Sequence, residues 1–397
     1  MGKLHIGICG DQGLWNEYNP FKVTRGIVAK NLLCLLNRKP LSLVEICKAL
    51  RKETFKIEDS MNLLLKINAI RQENKKYWIN FAIFSEKDRL LLADIGRRYG
   101  KQLAFNIEEH KTELYDLSTK LHCAKRVAIE KILFALIGYY ALDIRCLEEL
   151  ERLGFLTWRK KQPGNREYIL LGSEYTGTPK KFRGLSSYCN GNSEREGKYV
   201  FTSFGDYMPR ICFPDILWNF RSIIEEHAEG DKDFREVFAN ILYSYSKKVL
   251  SDAGKIIEAL AKCKPIKDSK NQALLLRFLE KLGYLSWKND NYVLNVPVFL
   301  PKEETIINEI AKKVSCIATE FISENHTEIA RTLKDTRPMK NKIPLEEFFV
   351  AIWHWIFGYC NGFLAKRGVI YDPPEDLNQT RYLQWLCIVE GETRNSI

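Results

Sequence analysis

Apolar residues recur at helical spacing in two separate stretches of the chain, and each stretch ends in two short strand-like segments. In the first stretch the helical segments are TRGIVAKNLLCLLNR, LVEICKALRK and KIEDSMNLLLKINAI, and the strand-like segments are AIRQ and YWINFAIF. In the second stretch a helical run ends at Gly283, and the strands YLSW and YVLNV flank the polar turn KNDN. This order predicts helices followed by a hairpin in both places.

Short sequence motifs near the start of the chain predict further elements. Ser42 and Glu45 have the spacing of a capping box, which predicts that a helix begins between them. Residues 1–22 are expected to form an irregular N-terminal arm that contains the strand-like LHIGICG. Three glycines in this arm are spaced like part of a dinucleotide-binding loop, but WNEYNPF follows without a helical period. We therefore predict no such loop.

A long helix is predicted over residues 86–121, because apolar residues from Leu91 to Leu121 fall three or four positions apart. A stripe of this length predicts packing on another helix, from the same chain or from a second copy. A further helix is expected in VAIEKILFALIGYYAL. The segment LERLGFLTWRKKQPGNREYILL predicts helix, strand, Pro-Gly turn and strand.

Residues 172–235 differ in composition from the rest and predict a β-containing linker or insertion. They are rich in glycine, serine and aromatic residues, with the strand-like pieces KYVFTSF and RICF. Their aromatic side chains suit either an effector pocket or the core of a small β subdomain. GNSEREGK lacks the glycine spacing and the Ser or Thr of a phosphate-binding loop, so we reject that motif.

The two stretches are also related by residue identity at one separation. Residues 215 positions apart match as follows: Tyr77 with Tyr292, Asn80 with Asn295, Phe84 with Phe299, Lys87 with Lys302, and Ile95 with Ile310. Further on, LERLGFL matches LAKRGVI at a separation of 214. Several matches in the same order predict a duplication whose unit is a whole domain.

Two segments, LSLVEICKAL…LLLKINAIRQENKKYWIN and DAGKIIEALAKC…LLLRFLEKLGYLSWKNDNYVLN, carry a family resemblance. Each resembles the winged helix-turn-helix regulators of bacteria and archaea, of the ArsR or MarR kind. The resemblance implies sequence-specific DNA binding by each third helix, with the hairpin, or wing, on the flanking backbone. Such regulators are usually short homodimers, whereas this chain carries two copies. Metal-sensing members have a cysteine pair in the second helix, where this chain has only Cys47, so no cofactor is expected.

The expected fold is therefore mainly α with small β-hairpin wings: tandem winged helix-turn-helix repeats joined by long helices, plus a β-containing insertion. The predicted boundaries are 1–22 for the arm, 23–85 for the first winged helix, 86–171 for long helices and a strand pair, 172–235 for the insertion, 236–300 for the second winged helix, and 301–397 for long helices and a C-terminal strand pair.

Composition and charge favour a soluble chain with a polyanionic partner. The 397 residues carry a formal net charge of +11, and nucleic acid is a common partner for basic soluble proteins. The eleven cysteines are scattered singly, as in reduced cytosolic proteins. We find no uninterrupted apolar run of membrane-spanning length. The expected location is the cytoplasm, with no membrane partner.

The candidate DNA-binding residues lie on the third helix and wing of each module, where donors and amides can reach base edges or phosphates. In the second module they are Lys264, Lys267, Ser269, Lys270, Asn271, Gln272, Arg277 and Lys288. In the first module they are Lys56, Asn62, Arg71, Lys75 and Lys76. Glu58 and Asp59 would repel phosphates, so the first helix is the weaker candidate. The alternative is that these charges are simply solvated helix faces.

Catalysis has little support in the sequence, and we expect no enzyme and no metal site. The six histidines form no H-x-x-x-H pair, and His110 and His326 fall on the apolar stripes, where core or interface histidines are typical.

The leading hypothesis is a DNA-binding transcriptional regulator whose two modules act as a single-chain pseudo-dimer. Its expected partners are double-stranded DNA and a small-molecule effector, with the chain as a monomeric pseudo-dimer or a homodimer through its long helices. The alternative is a winged-helix protein-protein interaction scaffold without sequence-specific DNA binding. An enzyme with its site in residues 172–235 is the third hypothesis.

Overall fold

The computed structural model describes residues 3–11, 13–175, 188–206, 210, 212–214, 248–264, 270–375 and 380–390. The chain forms two compact units. Unit 1 comprises Met1–Tyr99, Cys146–Leu185 and Thr319–Ile356, and unit 2 comprises Gly100–Arg145, Ser186–Ala318 and Phe357–Ile397. Each unit is thus assembled from three separate segments, which cut across the boundaries expected from the sequence.

Helices make up most of the described structure. In chain order they are α1 (Pro20–Thr24), α2 (Ile27–Arg38), α3 (Leu43–Leu50), α4 (Phe55–Lys66), α5 (Glu86–Glu108), α6 (Lys111–Thr119), α7 (Ile129–Leu133), α8 (Cys146–Arg152), α9 (Val249–Ala261), α10 (Lys270–Lys281), α11 (Glu304–Thr332), α12 (Arg337–Lys340) and α13 (Leu345–Lys366). A π-helical segment, Phe134–Arg145, continues α7, and short 3₁₀ turns occupy His122–Lys125 and Pro301–Glu303.

The strands are short and belong to several small sheets. They are β1 (Lys3–Asp11), β2 (Ile70–Glu73), β3 (Lys76–Ile79), β4 (Ala82–Phe84), β5 (Lys161–Gln162), β6 (Arg166–Tyr175), β7 (Asn190–Glu196), β8 (Tyr199–Gly205), β9 (Leu285–Lys288), β10 (Asn291–Leu294), β11 (Val298–Phe299) and β12 (Tyr382–Ile388). The coarse expectation of a mainly helical chain with small β elements is therefore confirmed.

In unit 1, helices α2, α3 and α4 pack around one apolar core and lead into the β2–β3 hairpin. The Ser42 hydroxyl and the Glu45 carboxylate form the capping box at the start of α3, as the sequence predicts. After α4, Asn68 adopts a left-handed conformation with φ 56°, which reverses the chain into β2. Asn74 and Lys75 also have positive φ, the geometry of a two-residue type I′ hairpin turn.

A second sheet in unit 1 is centred on β6, which pairs antiparallel with β1 and parallel with β4. Residues 3–11 therefore form an edge strand, and α1 begins at Pro20, where the sequence suggested an irregular arm. Asn19 caps α1, and Pro20 fits its first turn because proline needs no helical hydrogen bond there.

The segment YWINFAIF was expected to be one strand, and this expectation is wrong. The Asn80 N–H donates to the Ala69 carbonyl, and the Asn80 side chain donates to the Asn68 carbonyl. These two bonds bend the chain at Asn80, so that β3 stays in the hairpin while β4 joins the sheet of β6.

Unit 2 repeats this order with different side chains. Helices α9 and α10 share a core with the β9–β10 hairpin. Its main sheet has the order β11-β12-β8-β7, in which β12 pairs parallel with β11 and antiparallel with β8. Strands β7 and β8, expected within an insertion, are thus integral parts of this sheet.

The equivalent elements of the two units keep one separation. The bounds of α4 and α10, of β2 and β9, and of β3 and β10 each differ by 215 residues. The backbone geometry agrees as well, because Gly283 has positive φ where Asn68 does. The Asn295 N–H donates to the Tyr284 carbonyl at 2.9 Å, as the Asn80 N–H does to Ala69 at 3.0 Å.

Each unit also contains helices from the other half of the sequence. In unit 1, the buried carboxylate of Asp88 accepts hydrogen bonds from the Ser85 and Arg337 N–H groups. In unit 2, the buried carboxylate of Glu303 accepts from the N–H groups of Leu300 and His122. Asp88 and Glu303 lie 215 residues apart, as do His122 and Arg337, so the two contacts are reciprocal.

The long helix expected over 86–121 is interrupted, and that prediction is wrong in this respect. Helix α5 ends at Glu108 and α6 begins at Lys111. The His110 N–H donates to the Ile107 carbonyl, three residues back, and His110 has φ −97° and ψ 10°, so the backbone leaves the α geometry there. The equivalent helix α11 continues without a break.

Two further sequence predictions differ from the structure. The strand expected in FLTWRKK is confined to Lys161–Gln162, and only β12 represents the expected C-terminal strand pair among the described residues. In addition, α13 is long and apolar enough by composition to cross a membrane, although 67% of its most apolar window is buried as in a core helix. Glu346, Glu347 and His354 interrupt its sequence, which therefore contains no uninterrupted apolar run of membrane-spanning length.

Candidate nucleic-acid interface

The helix–hairpin face of unit 2 consists of the exposed residues of α10 and of the β9–β10 hairpin. The apolar side of α10 packs inward, with Leu275, Phe278 and Leu279 buried. This packing leaves Arg277 exposed on the opposite side. Helix α10 is therefore amphipathic, and its outer side is available to a partner.

An aromatic pair stands on the β9–β10 hairpin. Trp287 and Tyr292 are directly opposite in the antiparallel ladder, and their rings meet edge to face with centroids 4.7 Å apart. The Trp287 side chain is 52% exposed. The hairpin is anchored to the helix, because the Trp287 N–H donates to the Glu280 carboxylate at 3.2 Å. The exposed indole can therefore stack on a planar group without rearranging the hairpin.

Exposed residues of both charge signs lie on this face and at the end of α9. Lys264, Arg277 and Lys288 are exposed, and so is Asp290 at the turn. Burial raises the pKa of Tyr292, and Glu280 adds to this while Arg277 opposes it, so both charges lie near the phenol. Burial and the nearby Lys288 lower the pKa of Lys131. Charges of both signs therefore lie beside the pair, and Glu280 acts on Tyr292 more strongly than Arg277 does.

The equivalent face of unit 1 has different chemistry. Helix α4 exposes Phe55, Glu58, Asp59 and Asn62, and the Phe55 side chain is 65% exposed. An apolar ring beside two carboxylates is unfavourable for contact with phosphates. Exposed lysines of this unit also lie at the hairpin turn and at the end of α4.

Arg71, Lys75 and Lys76 of that hairpin are in different situations. The Arg71 guanidinium donates to the Glu73 carboxylate at 2.8 Å and to the Asn80 side-chain oxygen at 3.0 Å. It is therefore committed to holding the hairpin. Lys75 and Lys76 are exposed at the turn. Only these two lysines of the hairpin present their charge outward.

The predicted DNA-binding residues are only partly within the described structure. Arg277, Lys288 and the half-exposed Gln272 lie on the helix–hairpin face of unit 2, and Lys264 follows α9. Lys267 and Ser269 lie outside the described residues, as do the side chains of Lys56, Lys270 and Asn271. Every one of these assignments stays a prediction.

Sequence reasoning missed the aromatic pair of unit 2. Comparing residues 215 positions apart identifies it, because Gln72 of the first hairpin corresponds to Trp287 of the second. A polar residue at one exposed position and tryptophan at the other indicates that the two hairpins do not have the same task.

The aromatic residues expected to line an effector pocket are largely core residues. Tyr188, Tyr199, Phe201, Phe204 and Phe213 are all buried. Phe201 contacts the Phe213 and Tyr284 rings, which joins β8 to the helix–hairpin core. Tyr175 is half-buried at the end of β6, and Phe182, Tyr207 and Trp218 lie outside the described residues. A small-molecule effector stays a prediction.

A cavity of about 540 Å³ in unit 2 is lined by several charged residues, among them His122, Lys198, Glu258 and Lys302. Burial alone would raise the pKa of Glu258, but hydrogen bonds from Lys198, Lys262 and Tyr199 outweigh it and lower the pKa to about 2. The carboxylate therefore pairs with Lys198 and Lys262, and the cavity is a salt-bridged cleft.

The described residues contain no group of three or more side chains suited to a metal ion. His326 lies between the rings of Phe155 and Phe349, with centroids 4.8 and 4.9 Å away. Burial lowers its pKa, as expected for a neutral core histidine. The position of His326 in a stacked aromatic environment fits the sequence prediction of a packing role.

No protein-family model, curated protein or solved structure matches the chain.

Proposed function

We propose that the chain is a DNA-binding transcriptional regulator built from two winged helix-turn-helix modules in tandem. The observation that carries the proposal is the repeated helix–hairpin arrangement. Helices α4 and α10, the hairpins that follow them, and their type I′ turns keep one separation of 215 residues. In a winged helix this last helix enters the major groove, and the hairpin contacts the backbone.

In the second module, α10 reads bases and the β9–β10 hairpin holds the flanking strand. Arg277 offers a guanidinium suited to a guanine edge or a phosphate, and Lys264 and Lys288 supply charge on either side. Trp287 adds a surface on which a sugar or base can stack. The net charge of +11 is consistent with such a partner.

The first module grips the backbone rather than reading bases. Glu58 and Asp59 on α4 oppose a close approach to phosphates, whereas Lys75 and Lys76 at the hairpin turn favour it. The two modules would therefore recognise unequal half-sites. Such an operator is asymmetric, not palindromic.

A protein-interaction scaffold is the second candidate, and the face of α4 favours it. Exposed Phe55 beside Glu58 and Asp59 is the kind of apolar and charged patch that partner proteins bind. If this candidate is correct, the second module has no sequence-specific DNA affinity either.

The proposal is tested by DNA affinity as a function of salt. A labelled duplex is selected from a random library with the full chain, and its affinity is measured from about 50 to 200 mM salt. The variant Lys264→Gln, Arg277→Gln and Lys288→Gln removes three cations. If each contacts one phosphate, the log–log salt slope becomes less steep by about 2.7, at about 0.9 per phosphate.

A matched control removes three exposed lysines from other helices: Lys120→Gln, Lys312→Gln and Lys366→Gln. The control has the same net charge as the test variant, so a general charge effect would change both slopes equally. Failure to select any duplex, or equal slopes in the two variants, contradicts DNA binding by the second module.

A further inference from the structure

A groove is open on the surface of unit 1. It lies beside α2 and α3, has a volume of about 410 Å³, and has both apolar and charged walls. Three of its lining residues are apolar, Leu35, Leu41 and Ala49, which we call the floor. The charged lining residues, which we call the rim, are Arg38, Lys39 and Lys48, with Glu45. This volume falls in the range, roughly 300–1,000 Å³, of pockets that accept ligands.

The rim is strongly basic. Glu45 is the one acid among the lining residues, and its carboxylate is occupied in the capping box with Ser42. The charge of Lys76 acts on Glu45, which shows that the first hairpin turn adds another cation nearby. At the end of α2, the Arg337 guanidinium donates to the Arg38 carbonyl at 3.2 Å. A ligand in this groove therefore meets an excess of positive charge.

The floor distinguishes between two kinds of anionic partner. A phosphate backbone offers no apolar group to cover Leu35, Leu41 and Ala49. The patch also extends along α3, since Val44 is 77% exposed and lies one turn from Lys48. An acidic peptide with apolar side chains at helical spacing satisfies both the rim and the floor.

We propose that this groove binds an acidic amphipathic segment of a partner protein. Apolar side chains of the segment cover the floor and Val44, and its carboxylates pair with Arg38, Lys39 and Lys48. This function is separate from DNA binding by the second module. It gives the chain a way to bring a protein partner to the site where it acts.

The test measures binding of two labelled peptides to the full chain by fluorescence anisotropy. One peptide carries leucines at i, i+3, i+4 and i+7 among aspartates and glutamates, and the other replaces the leucines by serine at the same charge. The groove should bind the first peptide at least tenfold more tightly. The variant R38E/K48E should weaken that binding at least tenfold, because like charges face the peptide.

Two further variants separate the groove from general charge. Lys334→Glu changes an exposed lysine of unit 1 outside the groove and should leave peptide affinity within twofold. Ala49→Trp fills the floor without a change of charge and should weaken peptide binding as R38E/K48E does. Circular dichroism of each variant verifies that it is folded.

Three results would overturn the proposal. In the first, the two peptides bind with equal affinity, so that charge alone acts. In the second, R38E/K48E and A49W leave the peptide affinity unchanged. In the third, the groove variants weaken binding of a labelled DNA duplex but not binding of the leucine peptide. The last result would identify the groove as a nucleic-acid contact instead. The salt-slope experiment on the second module does not depend on any of these outcomes.

Discussion

Removing the Asp88 carboxylate should open the contact between the start of α5 and the start of α12 within unit 1. Asp88 is 5% exposed, and one of its oxygens accepts from the Ser85 N–H at 2.8 Å and the Ser85 hydroxyl at 2.7 Å. Both oxygens lie 3.3 Å from the Arg337 nitrogen. The variant Asp88→Ala removes all of these acceptors at once.

The expected cost follows from two parts of this arrangement. Asp88 accepts the Ser85 N–H as the N3 residue of a capping box, and we take its loss to cost roughly 1 kcal/mol, within the range of about 0.5–2 for helix caps. Leaving the Arg337 N–H without an acceptor costs about 1–3 kcal/mol, and the distance of 3.3 Å favours the lower end. Together these give a loss of about 2–3 kcal/mol in the free energy of local opening. Asp88→Asn keeps one oxygen acceptor and should lose less.

Hydrogen–deuterium exchange measures this loss locally, which suits a chain of two units. Amides of residues 85–92 and 336–342 should exchange roughly 30- to 150-fold faster in Asp88→Ala, since about 1.36 kcal/mol corresponds to tenfold. Asp94→Ala is the control, because Asp94 is exposed on the same helix and pairs only with Arg97. Equal exchange in the two variants, or acceleration near residue 85 alone, would refute the contact with Arg337.

Three other changes test separate features. His326→Phe should reduce the loss of unfolding free energy as the pH falls. Burial lowers the folded pKa of His326, so its neutral form stabilises the fold above about pH 6.5. This contribution is lost at lower pH. Urea midpoints at neutral and acidic pH measure this, and an unchanged difference between variant and wild type contradicts it. Gly283→Asn should be tolerated, as Asn68 is at the equivalent turn. Gly283→Val should destabilise the protein by roughly 1–3 kcal/mol in thermal unfolding, because φ is 78° there. Equal losses in the two variants would argue against the equivalence. Trp287→Ala should weaken binding of a single-stranded oligonucleotide by roughly 5- to 150-fold while the equivalent Gln72→Ala should not, and equal affinities would exclude stacking on Trp287.

Features that depend on neighbours in sequence could be predicted from the sequence. The Ser42–Glu45 capping box is complete within four residues, and the hairpins carry polar turn residues between short apolar strands. Helix α4 and the hairpin that follows it were expected within a few residues of their observed ends. Such elements form wherever the local pattern is satisfied, because their hydrogen bonds lie inside the segment.

Features that depend on distant partners could not be predicted in this way. YWINFAIF reads as one strand because most of its residues are aromatic or β-branched, and the bend at Asn80 is fixed by carbonyls of the preceding helix end. The place of β8 beside β12 is a pairing across nearly two hundred residues, which no local pattern contains. The contact of Asp88 with Arg337 is equally remote, so the composition of each unit from both halves is invisible in the sequence.

The candidate site could also be predicted only in part from the sequence, for a different reason. The 215-residue separation identifies which positions correspond, but it does not tell which of them are exposed. Only the structure shows that Trp287 is half outside the fold and that Arg71 is held by Glu73 and Asn80. A list of basic residues therefore includes some that already have partners and omits an aromatic residue that is available.

The comparison of corresponding positions argues for a division of work between the modules. The backbone at the two hairpin turns is the same, with positive φ at Asn74 and Lys75 and at Asn289 and Asp290. The side chains at the second turn position nevertheless have opposite charge. An exposed turn accepts a side chain of either charge, so the backbone of the turn does not require this difference. It is instead what we expect if the hairpins face different partners, with the lysine turn of unit 1 near a basic groove and the tryptophan of unit 2 exposed for stacking.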